Sequence, residues 1–562
     1  MDVHTTSRRL DPARLAEGRD LVLALHPADG LALPAGVLAH DHLSIGERHR
    51  IDALALDALA SWRALHDEAL TLDGACLPDI WTFKLYERVN ACLVAALGLR
   101  AAIEAQRPDV LRAADADPLT ALVVRAAGAA TGVRVEAGGG RAPPAFVERP
   151  VVPALRRAAR AAVRAATARG VPSRLRPGAT LFLSYWPIMP LLDRLLADPA
   201  WRPAIALEMR PARPQRSLAA ARQGGWLGIP SRHEVARAER RAHAALREVA
   251  RAPAIDVDGV PVGAAIHHAA LSLARPWAGR HLATFAFTRC SLRDGRPAAV
   301  VGTYELEPYA RLILRAARDA EVPTFNVAHG AYLLPQPVSD LELADEAALW
   351  SEAIAPPMTH RGRPAHVVGY PLAHERAPAR SFRAARATRI AVLAQTTAPS
   401  TATVDGRVVM RHYVEALTAI ARSLPGATAI LRPHPSQGAP PMRALRARFR
   451  AVDLELDATG AIRRLLAGVD LCVGSASAAT FEAALAGAAV VVLNVTELEW
   501  RWPLGGDTAV PVARTAAELS AHLDRWRADG TLPGRDDLLA GLGVNGGDPT
   551  KRCVELLERQ VR

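Results

Sequence analysis

From Ala298 to Leu493 the chain repeats one pattern: a short apolar run, a polar or glycine-bearing end, then a helical stretch leading to the next run. Ala298–Thr303 reads as a strand. Tyr309–Ala320 reads as a helix, with Leu312, Ile313 and Ala316 spaced to pack, and Pro323–Ala328 as the following strand. That is one βαβ unit, whose crossover is right-handed by default. Ala347–Trp350, Ala365–Val368, Arg389–Ala394, Ala427–Leu431, Asp470–Val473 and Ala489–Leu493 continue the strands. Arg411–Leu424, Ile462–Ala467 and Ala479–Ala486 supply the helices between them. Strands that alternate with helices in this way form doubly wound parallel sheets, so the fold class is α/β. A chain of 562 residues is long enough for two or three domains. The expected division is an N-terminal domain over 1–340 and a C-terminal domain over 341–562.

The N-terminal half shows the same alternation more faintly. Residues 19–26 read as a short buried strand. From 46 to 106 the apolar spacing is helical, with Trp62, Leu65, Leu70, Leu85, Val89, Leu93 and Leu97 on core faces. Asp109–Arg112 and Val133–Glu136 read as strands around a helix at Leu119–Thr131, and Thr180–Ser184 and Ala204–Glu208 as further strands. Residues 137–150, with a Gly triplet and Pro143-Pro144, read as a linker. Residues 209–255 read as an Arg-rich helical insertion. No acidic residue occurs from Arg149 to Leu192. There Arg156, Arg157, Arg160 and Arg164 run beside Leu155, Ala159, Val163 and Ala166 at helical spacing. Such a stretch suits a membrane surface or an acidic polymer; a solvated helix covering the domain is the plain alternative.

With 50% hydrophobic and 22% charged residues, the composition is that of a globular protein, not a disordered one. The net charge is +12, and lysine occurs only at Lys84 and Lys551. A GC-rich genome would produce the same arginine bias, but a basic surface still attracts nucleotides, polyanions and anionic lipid. No run of about 20 apolar residues predicts a membrane-spanning helix, and Met1–Gly18 lacks the apolar core of a signal peptide. Cys76, Cys92, Cys290, Cys472 and Cys553 are scattered without a CxxC pair, so neither a zinc site nor a disulfide framework is indicated. The expectations are a cytoplasmic protein, no bound metal or other cofactor, and no nucleic-acid partner.

In open α/β sheets ligands bind beyond the carboxyl ends of the strands, and four polar clusters fall there. His329-Gly330 follows Pro323–Ala328; the histidine suits a general base or a phosphate contact, or a histidine merely satisfied by backbone. Arg432-Pro433-His434-Pro435 follows Ala427–Leu431. Its prolines stiffen the loop, and an imidazole beside a guanidinium suits a departing phosphate. Gly474-Ser475-Ala476-Ser477 ends a strand and opens a helix, where free N–H groups favour phosphate. Ser475, Ser477 and Thr480 add hydroxyls, and Glu482, about one turn in, is placed to bind ribose hydroxyls; Ser477 also suits a simple N-cap. Glu305 and Glu307 follow Ala298–Thr303, as an acceptor base or as acids drawn to a helix start at Pro308.

The order of these clusters carries a resemblance over roughly 298–500. Val327-Ala328-His329-Gly330, Ala344-Asp345 with Trp350, Val368-Gly369-Tyr370-Pro371, Arg432-Pro433-His434-Pro435, and Asp470 with the serine motif follow in sequence. The chain resembles the GT-B glycosyltransferases of bacterial capsule and surface-polysaccharide synthesis, and is similar to the sialyl-, polysialyl- and Kdo-transferases that carry an HP motif and a serine motif. The resemblance implies two Rossmann-like domains about a crevice. It implies that His434 contacts the donor phosphate and assists its departure, and that Ser475 and Ser477 bind that phosphate; the reading of the residues adds Arg432, Thr480 and Glu482 to the donor site. A nucleotide-sugar donor, with a CMP-linked acidic sugar preferred, and a polysaccharide or glycolipid acceptor follow as partners; the expectation of peripheral contact at the inner membrane rests on the Arg149–Arg176 stretch alone. Teichoic-acid alditol phosphotransferases and UDP-N-acetylglucosamine 2-epimerases resemble the same frame and stand as alternatives, as does a non-catalytic scaffold for capsule synthesis.

Overall fold

The computed structural model describes residues 1–5, 20–23, 38–113, 116–137, 173–183, 189–207, 214–249, 251–303, 305–328, 343–351, 364–370, 377–381, 388–393, 406–434, 453–457, 462–494, 504, 508–543 and 547–561. His329, Gly330 and the Arg156–Arg164 stretch lie outside the described residues.

Three parallel sheets follow one another along the chain. The first opens with β1 (Asp2–Thr5) and β2 (Asp20–Leu23); β3 (Thr71–Leu72) and β4 (Ala75–Cys76) make a separate small hairpin, and β5 (Val110–Ala113) and β6 (Arg134–Ala137) complete the sheet in the order β2-β1-β5-β6. Only Val3 is apolar in Asp2-Val3-His4-Thr5, so β1 has no strand signature of its own. Its pairing, Val3 opposite Leu21, makes it a strand. Helices Ile45–His66, Thr82–Gln106 and Pro118–Thr131 pack about this sheet. By length and mean composition Thr82–Gln106 is apolar enough to cross a bilayer, although Lys84, Glu87, Arg88 and Arg100 interrupt its apolar run. Much of it is buried within the protein, where Tyr86 and Asn90 each donate to Asp52 at 2.8 Å, so here it is a core helix.

The second sheet contains β7 (Thr180–Phe182), β8 (Pro203–Ala206) and β9 (Trp226–Leu227). After a hairpin of β10 (Asp256–Val257) and β11 (Val260–Pro261) come β12 (Ala299–Gly302), β13 (Thr324–Val327), β14 (Glu346–Leu349) and β15 (Ala365–Val367). The spatial order is β15-β14-β13-β12-β7-β8-β9. The third sheet, β16 (Arg389–Leu393), β17 (Thr428–Arg432), β18 (Asp453–Leu456), β19 (Leu471–Ser475), β20 (Ala489–Leu493) and β21 (Val512–Ala513), runs β18-β17-β16-β19-β20-β21. Counted from its own first strand, the third sheet has the Rossmann order 3-2-1-4-5-6, and the second has the same order with one further strand. Both are buried on two faces, because alternate residues of a strand point to opposite sides. Val300 packs in one apolar cluster and Val301 in another; Ile390 and Val392 lie in a third and Ala391 and Leu393 in a fourth.

Two Rossmann-like domains are therefore present, preceded by a smaller α/β unit. The Arg-rich stretch does form helices, at Pro214–Gln223 and Arg232–Glu248, but it also gives β9 to the edge of the second sheet. A boundary at 340/341 would cut that sheet, since β14 and β15 hydrogen-bond into it. The chain changes sheets between 367 and 389. It also comes back: in the final helix, Pro549–Val561, Cys553, Leu556 and Leu557 pack with Phe182, Phe325 and Val327 of the second sheet.

The smaller unit shares one apolar core with the domain of the second sheet, and a buried carboxylate adds to that junction. Asp79 meets Arg311 at 3.2 Å and Arg315 at 2.7 Å, with Arg63 at 3.7 Å. Burial alone would raise its pKa. The hydrogen bond from Arg315 and the charges of the three guanidiniums outweigh that and hold it below the ordinary carboxylate value.

Candidate functional site

The Rossmann order of the third sheet reverses between β16 and β19, which is where such a sheet opens a crevice for a ligand. In register, Leu393 at the end of β16 pairs with Arg432 on one side and Gly474 on the other. Two strand spacings put those flanking backbones roughly 9–10 Å apart. The Arg-Pro-His-Pro and Gly-Ser-Ala-Ser clusters, 42 positions apart in sequence, thus border one strand end.

The serine cluster is built by its glycine. A Cβ on Gly474 would lie 3.0 Å from Leu393 Cβ and 3.2 Å from Thr480 Oγ1. A larger residue there would force Leu393 or Thr480 to give by a few tenths of an ångström. Thr480 is fully buried and donates to the Ser475 carbonyl at 2.6 Å, with Ser477 Oγ 3.2 Å away. Thr480 thereby shapes the strand-to-helix turn. Ser477 is the N-cap residue by position, but its side chain makes no capping bond to the helix backbone. Ser475 is buried at the strand end.

On the other side of β16, the Arg432 guanidinium is held by Asp457, 3.0 Å from its Oδ1 and 3.2 Å from its backbone carbonyl. Asp457 lies just past β18 and carries no motif of its own, so sequence reasoning passes over it. His434 is partly buried, and that burial lowers its pKa below 6.5. Burial thus favours the uncharged imidazole in the ligand-free protein.

Glu482 faces the linker between the two large domains. The Tyr370 hydroxyl donates to Glu482 Oε1 at 2.6 Å. Tyr370 is fixed in turn: its N–H donates to the Leu542 carbonyl at 2.7 Å, and its ring stands edge-on to Trp350, centroids 4.6 Å apart. Gly369, at φ +89°, makes the bend that delivers it, and a Cβ there would approach Gly543 O to 2.8 Å. The Trp350 indole donates to the Ala328 carbonyl at 2.8 Å, at the residue just before His329. Ala328 and Trp350 share an apolar cluster with Leu393, Phe481 and Leu542. The carboxyl ends of β13 and β14 are thus packed against the third-sheet domain.

Glu305 and Glu307 separate in role. Glu305 is fully buried, and its carboxylate accepts from Asn326 Nδ2 at 2.7 Å and from the N–H groups of Leu343 and Ala344 at 2.5 and 3.1 Å. It ties the end of β12 to the chain entering β14. Glu307 caps helix Pro308–Asp319, accepting from Ala310 N at 2.9 Å, as the helix-start reading anticipates. Among the described residues no group of three or more His, Cys, Asp or Glu side chains is placed to hold a metal ion.

No family model matches the chain, and no curated protein matches it. Among solved structures it is similar to the UDP-GlcNAc 2-epimerase from Neisseria meningitidis bound to UDP-GlcNAc, with 11% identity and a TM-score of 0.39 over 68% of this chain and 99% of that one. It is similar to HepE of Anabaena in complex with UDP and glucose, with 12% identity and a TM-score of 0.41 over 69% and 100%. It is similar also to MurG of Acinetobacter baumannii, with 11% identity and a TM-score of 0.39 over 68% and 99%. Likenesses this distant leave function to be read from the residues.

Proposed function

We propose that the chain is a glycosyltransferase of the GT-B type, moving a sugar from a nucleotide-activated donor to a bacterial surface polysaccharide or glycolipid. What supports this reading is the position of Arg432-Pro433-His434 and of Gly474–Ser477 at the carboxyl ends of the two strands that flank β16, at the switch point of the third sheet. Hydroxyls, a helix start and an arginine at one strand end suit the phosphate of a nucleotide. His434, whose uncharged form is favoured by burial when the site is empty, gains a proton more easily beside a phosphate, and so stabilises the charge that develops as the sugar–phosphate bond breaks. Asp457 offsets part of the charge of Arg432. The pairing of an HP motif at His434 with the serine motif after β19 supports a CMP-linked acidic sugar as donor.

The acceptor enters from the second sheet, where Trp350 fixes the carbonyl next to His329; His329 is our choice for the base. Glu305, engaged by three hydrogen-bond donors, serves this reading as a support for that strand end. Nucleotide sugars are made in the cytoplasm, so the enzyme would act there, against the inner membrane where glycolipid acceptors reside. The test is transfer from CMP-, UDP- and GDP-sugars to a capsule-type acceptor, following nucleotide release and product mass. Sugar transfer with release of CMP is expected. Transfer of an alditol phosphate from a CDP donor, or epimerisation of a UDP-sugar without transfer, would replace this reading by one of the two related chemistries.

A further inference from the structure

We propose that the outward side of helix Arg232–Glu248, together with Trp277 at the start of helix Ala278–Gly295, is a docking surface for an anionic lipid bilayer. The proposal deepens the membrane placement of the enzyme and draws on none of the donor-site residues, so vesicle binding and sugar transfer can fail separately. Helix Arg232–Glu248 buries Ala238, Ala242, Ala245 and Leu246. At about 100° per residue, the opposite side carries His233, Arg237, Arg240, His243 and Arg247, all of them exposed. The three glutamates of the helix, Glu234, Glu239 and Glu248, fall to its flanks. From His233 to Arg247 the basic stripe runs about 21 Å at 1.5 Å per residue. Arg241, on the flank, is paired with Asp73, whereas Arg237, Arg240 and Arg247 make no ion pair among the described residues.

The start of helix Ala278–Gly295 lies against this helix. A Cβ on Gly279 would come within 2.5 Å of Glu239 Cα, and His243 Nε2 is 3.4 Å from the Arg275 carbonyl. Those contacts bring Arg275, Trp277 and Arg280, all exposed, beside the stripe. Trp277 is 45% exposed, and its ring is stacked on His281 with centroids 5.9 Å apart. A braced, half-exposed indole suits the boundary between water and hydrocarbon. Each arginine adds only modestly to the attraction of an anionic leaflet, so several must reach it together. A stripe on the outside of a helix can do so against a flat surface, and the indole adds an apolar contact that a purely anionic polymer does not offer.

The test is sedimentation of the full chain with vesicles of phosphatidylcholine alone and of equal parts phosphatidylcholine and phosphatidylglycerol, at low and high salt. At low salt wild type should bind the anionic vesicles at least about tenfold more tightly, and added salt should weaken that binding. The triple variant Arg237→Gln, Arg240→Gln, Arg247→Gln should lose at least about tenfold, with an unchanged thermal midpoint showing that it is folded. A control triple variant, Arg125→Gln, Arg422→Gln, Arg464→Gln, removes three exposed charges elsewhere and should bind within about twofold of wild type, because distant charges are screened. Trp277→Ser should weaken binding roughly threefold or more at both salts, since the indole's share is not electrostatic. A control variant that falls as far as the stripe variant would assign the effect to net charge and overturn the proposal. Unaltered binding by Trp277→Ser would overturn the shared surface. So would a wild type that sediments with neither vesicle, or one that binds dextran sulfate but not the anionic vesicles.

Discussion

Arg432 and Asp457 form an ion pair of 3.0 Å at the carboxyl edge of the third sheet, and the Asp457 backbone carbonyl takes a second bond from the same nitrogen at 3.2 Å. The carbonyl and the side-chain oxygen both orient the guanidinium, but only the carboxylate cancels its charge. In Asp457→Asn the orientation should persist and the charge be released. Nucleotide affinity should then rise a few-fold at low salt and fall more steeply as salt is added. Titrations at two ionic strengths check this. A large loss of affinity would show that Asp457 is needed to place Arg432.

The second prediction concerns His434. Burial holds its pKa below 6.5 in the empty site, and a bound phosphate would raise it. Binding then takes up a proton, so nucleotide affinity should increase as pH falls from about 8 to 6. His434→Asn should lose that part of the slope, which separates the imidazole from the titration of the phosphate itself. Proton uptake is measured by calorimetry in buffers of different ionisation enthalpy. Equal uptake in wild type and variant would contradict the assignment.

Acid sensitivity should come from a different histidine. His281 is buried among Trp81, Trp277 and Tyr309, and its Nδ1 accepts the Trp81 indole N–H at 2.7 Å. Burial, with a smaller contribution from Arg280, pushes its pKa down to about 3. Its ordinary value is 6.5, so between these pH values the unfolded chain binds the proton and the native state does not. The sign follows: stability is complete above pH 6.5 and declines as pH falls below it, by up to about 1.4 kcal/mol per pH unit from this group. Denaturant titrations of wild type and His281→Gln at pH 7.5 and 5.5 should show a smaller pH difference in the variant. An equal difference would move the effect to other groups.

Much of the third sheet is legible in the sequence because its strands are continuous apolar runs separated by helices of ordinary period. Ile462–Ala467 and Ala489–Leu493 coincide with their expected bounds, and Ala478–Leu485 is displaced by one residue. The smaller N-terminal sheet is only partly legible: β1 depends on pairing with β2, not on its own residues. The domain limit is misplaced because β14 and β15 look like strands of either sheet, and only hydrogen bonding assigns them. In the site, position at strand ends brings Arg432 and Ser475 into view. Asp457 and the Tyr370–Glu482 contact are long-range pairings with no local pattern. Glu305 has an acidic side chain in a plausible place, but its burial and three hydrogen-bond donors are products of tertiary structure.

The most direct test of the donor site is a calorimetric titration of the wild-type protein and His434→Ala with CMP, CDP, UDP and GDP. The account predicts that CMP binds the wild type best and that the variant binds it at least about tenfold more weakly. Failure of the wild type to bind any of the four would contradict it.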